Sequence, residues 1–172
     1  RLILRSIRDN ERTAVGACHS IGKTFITAVA ILWFLFMHRG AIVLITAPTW
    51  RQVEKVIWPE FKSLYARFAK VLEGFGVPSG ATLQKKPYCE LGDKWFALGF
   101  SSTEPENAQG FHAPYMLLVV EEASGVNDAM FEGFRSTLAS GHCRMLLLSN
   151  CTRPEGRFYS CFHGNRHLWK TF

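Results

Sequence analysis

The sequence has no C-x-x-C pair among its five cysteines, at positions 18, 89, 143, 151 and 161. Neither a disulfide framework nor a four-cysteine zinc site is therefore indicated, and a reducing compartment fits the pattern. Internal repeats and low-complexity tracts are absent as well. The longest apolar stretch, residues 25–37, falls short of the roughly 20 residues that cross a bilayer and lies too far from the start for a secretory signal. It is expected to be a helix buried on most sides, and no membrane partner is expected. A content of 48% hydrophobic and 20% charged residues argues against disorder, and 172 residues suit one domain spanning 1–172. The chain begins without Met, on Arg1-Leu2-Ile3-Leu4, which is already patterned like folded protein. A fragment of a longer protein is the expectation.

Charge of one sign is scarce in the middle and surplus at the ends. The net charge is +6, from 20 Lys and Arg against 14 Asp and Glu. Residues 1–12 contribute +2, residues 141–172 contribute +4, and the segment between balances at 11 against 11. Such a surplus fits a polyanionic partner or simply a solubilising surface.

Short runs rich in apolar and β-branched residues, bounded by turn residues, predict strands at 13–17, 41–46, 95–100, 116–120 and 144–149. Helical spacing predicts helices at 24–37, 51–75 and 129–138, with a loop at 74–80. Strands alternating with helices imply a mostly parallel central sheet flanked by helices. Ile42-Val43-Leu44-Ile45 and Leu117-Leu118-Val119-Val120 are apolar on consecutive residues, as central strands buried on both faces are. Residues 82–89 and 95–100, around Leu91-Gly92-Asp93-Lys94, read as an appended antiparallel hairpin.

The most informative segment is Ala17-Cys18-His19-Ser20-Ile21-Gly22-Lys23-Thr24, set between a predicted strand and the long apolar helix. That is the setting of a phosphate-binding loop. Its N–H groups and the helix N-terminus attract an anion, Gly22 permits close approach, Lys23 reaches the terminal phosphates and Thr24 offers a hydroxyl to Mg²⁺. The pattern asks for Gly where Ala17 stands, with Gly16 one residue early. A second feature is the apolar strand ending in Glu121-Glu122. Adjacent carboxylates at a strand tip point to different sides, so one suits a metal and the other a water to be deprotonated; a solvated strand end is the plainer alternative. Ser149-Asn150, ending the last apolar strand, either sense the γ-phosphate or attacking water, or form a turn.

Together these residues resemble the ATPase domain of the large terminase subunit of tailed double-stranded DNA bacteriophages. The likeness also runs through Ile45-Thr46-Ala47-Pro48-Thr49-Trp50-Arg51-Gln52, Gln109-Gly110-Phe111-His112-Ala113-Pro114, Val119-Val120-Glu121-Glu122-Ala123-Ser124-Gly125-Val126, and Leu147-Leu148-Ser149-Asn150-Cys151-Thr152-Arg153-Pro154-Glu155-Gly156. It implies an α/β fold of the P-loop NTPase, additional-strand catalytic-glutamate type with a five-stranded parallel core. It also implies Mg-ATP as substrate, a homo-oligomeric ring at the capsid portal, double-stranded DNA and the small terminase subunit as partners, and the host cell cytoplasm as location. By that resemblance residues 17–24 bind nucleotide, Thr24 and Glu121 hold the metal, Lys23 and Glu122 are catalytic with Glu122 as the base, and Ser149 and Asn150 couple hydrolysis to movement. The family's C-terminal nuclease domain is expected to be absent from this chain. An arginine that some members carry in the loop at 109–112 is missing, leaving Arg51, Arg135 and Arg153 as candidates for its role. Arg153 and Arg157, beside the coupling motif, are where DNA or inter-subunit contacts are expected. A helicase-like or recombination ATPase is the alternative enzyme, and a module without turnover the alternative from another class.

Overall fold

Residues 1–74, 80–103, 110–137 and 141–172 are described in a computed structural model of the chain, with backbone only at 135–137. The opening segment is a helix, α1 (Leu2–Asp9), with Ser6 buried against Thr13 through a 2.7 Å hydroxyl pair. Then come β1 (Arg12–Gly16), the loop at 17–22, α2 (Lys23–Met37) and β2 (Ile42–Thr46). A helical run follows: α3 (Trp50–Gln52), a π-helical stretch (Val53–Ile57) and α4 (Trp58–Gly74). Three short strands follow, β3 (Thr82–Leu83), β4 (Tyr88–Gly92) and β5 (Trp95–Gly99). The remainder is β6 (Tyr115–Glu121), a 3₁₀ turn (Ala123–Gly125), α5 (Asp128–Thr137), β7 (His142–Ser149), α6 (Gly156–Ser160), a second 3₁₀ turn (Arg166–Leu168) and β8 (Lys170–Thr171).

One sheet takes all eight strands in the order β3-β4-β5-β2-β6-β7-β1-β8. From β5 to β8 every pairing is parallel, and β3 and β4 join antiparallel at the edge. The chain crosses from β1 to β2, and β6 and β7 then fill the space between. The phosphate-loop strand and the acid-bearing strand are thus separated by the added strand β7, the arrangement expected of the additional-strand type. The parallel part has six strands rather than the five that the resemblance implies. The sixth is β8, held to β1 as the Phe172 N–H donates to Ala14 O and the Gly16 N–H to Phe172 O.

Side chains alternate across a strand, so a sheet with two apolar faces needs two covers. Val43, Ile45, Leu117, Val119, Leu146 and Leu148 pack under α2, α4 and the π-helical stretch. Ile42, Leu44, Leu118, Val120, Met145 and Leu147 pack under α5, α6 and the segment after it. The consecutive apolar runs of β2 and β6 are therefore buried on both faces, as expected.

The hairpin arm expected at 82–89 is divided, Thr82–Leu83 forming β3 and Tyr88–Gly92 forming β4, so that the appended antiparallel element has three strands with β5. The helix expected at 51–75 starts at Trp50, where Thr49 and Gln52 form a reciprocal capping box, and widens to π-helical pairing before Pro59. Pro59 has no N–H to give the carbonyl four residues back, and its ring would crowd that carbonyl. The Trp58 N–H instead reaches back five residues to Val53 O. The hairpin turn is shorter than expected, two residues with Lys94 at φ 52°. Of the loop expected at 74–80, residues 75–79 lie outside the described residues, as does Leu138 at the end of the third expected helix.

Within α2 the aromatics divide by face. Phe34 is fully buried, Phe36 packs edge-on against Phe68 at 4.9 Å, and Phe25 is 49% exposed. Phe34→Ala is expected to cost about 3–5 kcal/mol and Phe25→Ala no more than about 0.5 kcal/mol, measured by denaturant unfolding at unchanged m-value. Equal losses would mean that the buried face of α2 is misassigned.

Candidate nucleotide-phosphate site

The phosphate-loop, acidic and Ser-Asn motifs converge at the C-terminal ends of β1, β6 and β7. β1 ends at Gly16, where a side chain would meet Cys151 Sγ at 3.0 Å and Phe162 Cζ at 3.3 Å. Ala17 has room for its methyl, half-buried against the core under α2, and its N–H donates to Ser149 O at 2.9 Å. The position where a side chain is crowded is thus 16 rather than 17. The loop then curls through positive φ at Ser20 (60°) and Gly22 (86°) and enters α2 at Lys23. The N–H groups of Ser20, Ile21 and Gly22 take part in no backbone hydrogen bond among the described residues. A curl of unspent N–H groups at the positive end of a 15-residue helix is a cradle for an anion.

Lys23 is 8% exposed, yet its ammonium is well provided with acceptors. It donates to Asn150 Oδ1 at 2.7 Å and Cys18 O at 3.0 Å, and lies 3.5 Å from Glu122 Oε1. Asn150 uses its other end on the loop, its Nδ2 lying 2.6 Å from His19 Nε2. The amide thereby ties the end of β7 to two residues of the phosphate loop.

The two glutamates part company as expected. Glu121, the last residue of β6, is 5% exposed, and its Oε1 accepts from Thr24 Oγ1 at 2.6 Å. Its Oε2 is buried with no hydrogen-bond partner among the described residues. Burial, foremost, pushes the Glu121 carboxyl above the usual carboxylate range; the Thr24 hydrogen bond opposes this, the charge of Glu122 adds to it, and Lys23 opposes it. Glu122 leaves the strand in the left-handed region, φ 51° and ψ 44°, and this turn swings its side chain away from Glu121. Its Oε2 lies 3.5 Å from the Ser149 hydroxyl and its carboxylate is about a third exposed.

An orphaned buried carboxylate oxygen beside a hydroxyl suits a hard dication that binds oxygen and keeps much of its water. Thr24 and Glu121 fit Mg²⁺ in this way. Among the described residues no cluster of three His, Cys, Asp or Glu forms a cage for a metal on protein groups alone.

Sequence reasoning missed the polar links around these residues. Ser149 pairs with Ser124 Oγ at 2.8 Å and accepts from the Ser124 N–H at 3.1 Å, and Ser124 pairs with Thr152 Oγ1 at 3.1 Å. Ser124 and Thr152 stood inside two of the motifs, but hydroxyls carry no spacing signal that marks them as partners. Of the arginines singled out, Arg157 is committed within the chain: it contacts Glu132 Oε1 at 2.6 Å, and its N–H donates to Asp128 Oδ1. Arg153 is exposed and makes no hydrogen bond or ion pair with a described residue. Arg51 is exposed at the start of the second helical run; the side chain of Arg135 and residue Gln109 lie outside the described residues.

No family model matches the sequence. A curated protein of Enterobacteria phage P7, "Probable terminase, large subunit", is 32% identical over 165 residues, which is 91% of this chain and 32% of that protein. The chain thus spans about a third of the length of the curated relative it matches. A mutant of the Thermus phage P74-26 large terminase ATPase domain superposes with a TM-score of 0.73 at 20% identity, over 90% of this chain and 65% of that one. The large terminase of a second thermophilic bacteriophage, solved in complex with ADP, gives 0.68 at 10% identity, over 96% and 40% of the two chains.

The strain on Glu121 yields a stability test. Because burial raises its folded-state pKa, ionised Glu121 costs stability at neutral pH, and the cost disappears as pH falls through the raised value. Glu121→Gln keeps an acceptor for Thr24 without the charge. It is expected to melt at higher temperature than the parent at pH 7.5 without ligands, with the gap closing on acidification. A variant that melts lower at pH 7.5 contradicts the buried-charge account.

Proposed function

We propose, for a chain that belongs to the large terminase family, that it is a Mg-ATP-hydrolysing motor domain whose turnover drives double-stranded DNA into a viral procapsid. The observation that carries this reading is the buried contact between Thr24 and Glu121, with one carboxylate oxygen unshared. It joins a phosphate loop to an acidic strand 97 residues away.

The residues divide the work. N–H groups of the loop at 17–24 hold the β- and γ-phosphates, and Lys23 moves from Asn150 and Cys18 O onto the terminal phosphate. Thr24 and Glu121 would hold Mg²⁺, which would supply positive charge against the charge developing on the phosphate oxygens. Glu122 orients the attacking water and accepts its proton as the water oxygen bonds to the γ-phosphorus and the bridge to the β-phosphate breaks. The hydroxyl of Ser149 aims that carboxylate. Asn150 reports the change, because the phosphate and its amide compete for the same ammonium. Displacing the amide loosens the tie it makes between the end of β7 and His19 of the loop, and this is the coupling role we assign to Asn150 with Ser149.

The finer assignments follow from the family. To this chain we extend what the resemblance implies: a homo-oligomeric ring, a small subunit and double-stranded DNA as partners, and the host cell cytoplasm as location. Arg153, exposed and uncommitted beside the coupling motif, is the group we assign to a phosphate outside its own site, on DNA or on a neighbour's nucleotide.

Phosphate release tests the assignment. Glu122→Gln should lose roughly 10²- to 10⁴-fold in turnover, the usual contribution of a general base, with ATP affinity kept within a few fold. Lys23→Ala should lose both affinity and turnover. If Glu122→Gln hydrolyses ATP as fast as the parent, Glu122 is not the base.

A further inference from the structure

The hydroxyl that faces Glu122 is itself held. Ser149, at the end of β7, is fully buried, and its Oγ meets three groups: Glu122 Oε2 at 3.5 Å, Ser124 Oγ at 2.8 Å and the Ser124 N–H at 3.1 Å. We propose that Ser124 is a positioning residue for hydrolysis: it turns the Ser149 hydroxyl hydrogen toward Glu122 and so aims the carboxylate that receives the proton of the attacking water. This assignment deepens the reading of Glu122 as base and rests on it.

The supply of hydrogens sets the direction of the chain. A hydroxyl has one hydrogen to donate and two lone pairs to accept with. The Ser124 N–H can only donate, so it takes one lone pair of Ser149. An ionised carboxylate can only accept, so the contact between Ser149 and Glu122 uses the Ser149 hydrogen. The 2.8 Å contact then has to run from Ser124 to the second lone pair of Ser149, and the 3.1 Å contact from Thr152 to Ser124. The acid at one end thus orders all three hydroxyls, and Ser124 fills both acceptor positions of Ser149. Among the described residues, the Ser149 hydrogen is left with Glu122 as its one acceptor. A separation of 3.5 Å is long for such a bond, as catalytic hydrogen bonds often are before substrate draws the site together.

The backbone makes Ser124 a firm holder. It lies two residues after Glu122, in the 3₁₀ turn Ala123–Gly125, where the Gly125 N–H donates to Glu122 O at 2.9 Å. A side chain at Gly125 would meet Pro48 Cγ at 2.8 Å, so the turn is packed closely against the loop after β2. The base and the residue that steers it therefore stand on one short turn, and Ser149 bridges them from the neighbouring strand.

Lys23 makes this second hold necessary. Among the described residues the Glu122 carboxylate has two side-chain contacts, Lys23 at 3.5 Å and Ser149 at 3.5 Å. Once Lys23 moves onto a terminal phosphate, the first is given up. Ser149, steered by Ser124, then keeps the base aimed at the moment of attack. Loss of the Ser124 hydroxyl is for that reason felt in turnover rather than in binding.

Steady-state phosphate release by the chain with Mg-ATP distinguishes the two. Ser124→Ala is expected to lower kcat roughly tenfold with KM kept within about twofold, the pattern of an interaction made only in the transition state. Ser124→Thr, which retains a hydroxyl, is expected to recover most of that rate. In a Glu122→Gln background, Ser124→Ala should cost nothing further, because its effect passes through the carboxylate. Should Ser124→Ala not fold, Ser124→Cys, similar in size with a weak S–H donor, carries the same expectation. Parental turnover in the Ala variant, a raised KM at unchanged kcat, a Thr variant as slow as the Ala variant, or an equal loss in the Glu122→Gln background each overturns the positioning role while leaving Glu122 as base. Glu122→Gln hydrolysing as fast as the parent, or a parent without turnover, overturns the reading beneath it.

Discussion

A carboxylate buried at the tip of β6, with one oxygen bound to Thr24 and the other without a partner among the described residues, is the constraint around which the site is organised. Carrying an ionised group at 5% exposure is unfavourable unless a cation shares it. The fold keeps it there because β7 separates β1 from β6 by one strand, which sets the loop and the acid at contact distance. Lys23, the nearest fixed cation, is already drawn toward Asn150 and Glu122. A deficit of positive charge therefore remains beside Glu121, and it is the kind of deficit that a dication carried in with a phosphate chain relieves. The same arrangement frees Glu122, turned out of the strand by its left-handed backbone, from sharing that role.

What the sequence made legible follows from how each feature is encoded. Strands buried on both faces write themselves as unbroken apolar runs, so β2 and β6 were plain. The phosphate loop was recognisable because its glycine and Lys-Thr pair sit between a strand and a helix, and the acids because they end an apolar run. Strand order is encoded in no local pattern, and it was reached only through the family resemblance. The edge strand β8 is two residues long and depends on backbone pairing with β1, so it leaves almost no compositional trace. The π-helical stretch was legible only in hindsight, since Pro59 near the start of a long apolar-periodic segment permits either a break or a local widening.

The polar partners of the site were the least legible part, for a physical reason. A hydroxyl or amide that bridges two motifs is specified by the meeting of distant segments, and nothing in its own neighbourhood announces it. His19 and Asn150 are 131 residues apart, and Ser124 and Thr152 are 28 apart. The charge pattern misled in a related way. Arg153 and Arg157 look alike four residues apart at a basic end of the chain, but the Arg157 guanidinium pairs with Glu132 of α5 while Arg153 has no partner among the described residues. A net surplus cannot distinguish a cation that holds the fold from one that reaches outward.

The segment following β7 joins these functions through one short stretch of chain. Ser149 and Asn150 face the acids and the loop lysine, and Thr152 is linked back to Ser149 through Ser124. Cys151, between them in sequence, faces the other way, onto Gly16 at the root of the loop. Alternation along this stretch thus gives one backbone two faces, one on the loop lysine and the acids and one on the root of the loop. If Lys23 releases Asn150 when a terminal phosphate arrives, the displacement passes through Cys151 and Thr152 to Arg153, three residues on. A movement that starts at one ammonium is then delivered to a free guanidinium on the surface, where a second macromolecule can feel it.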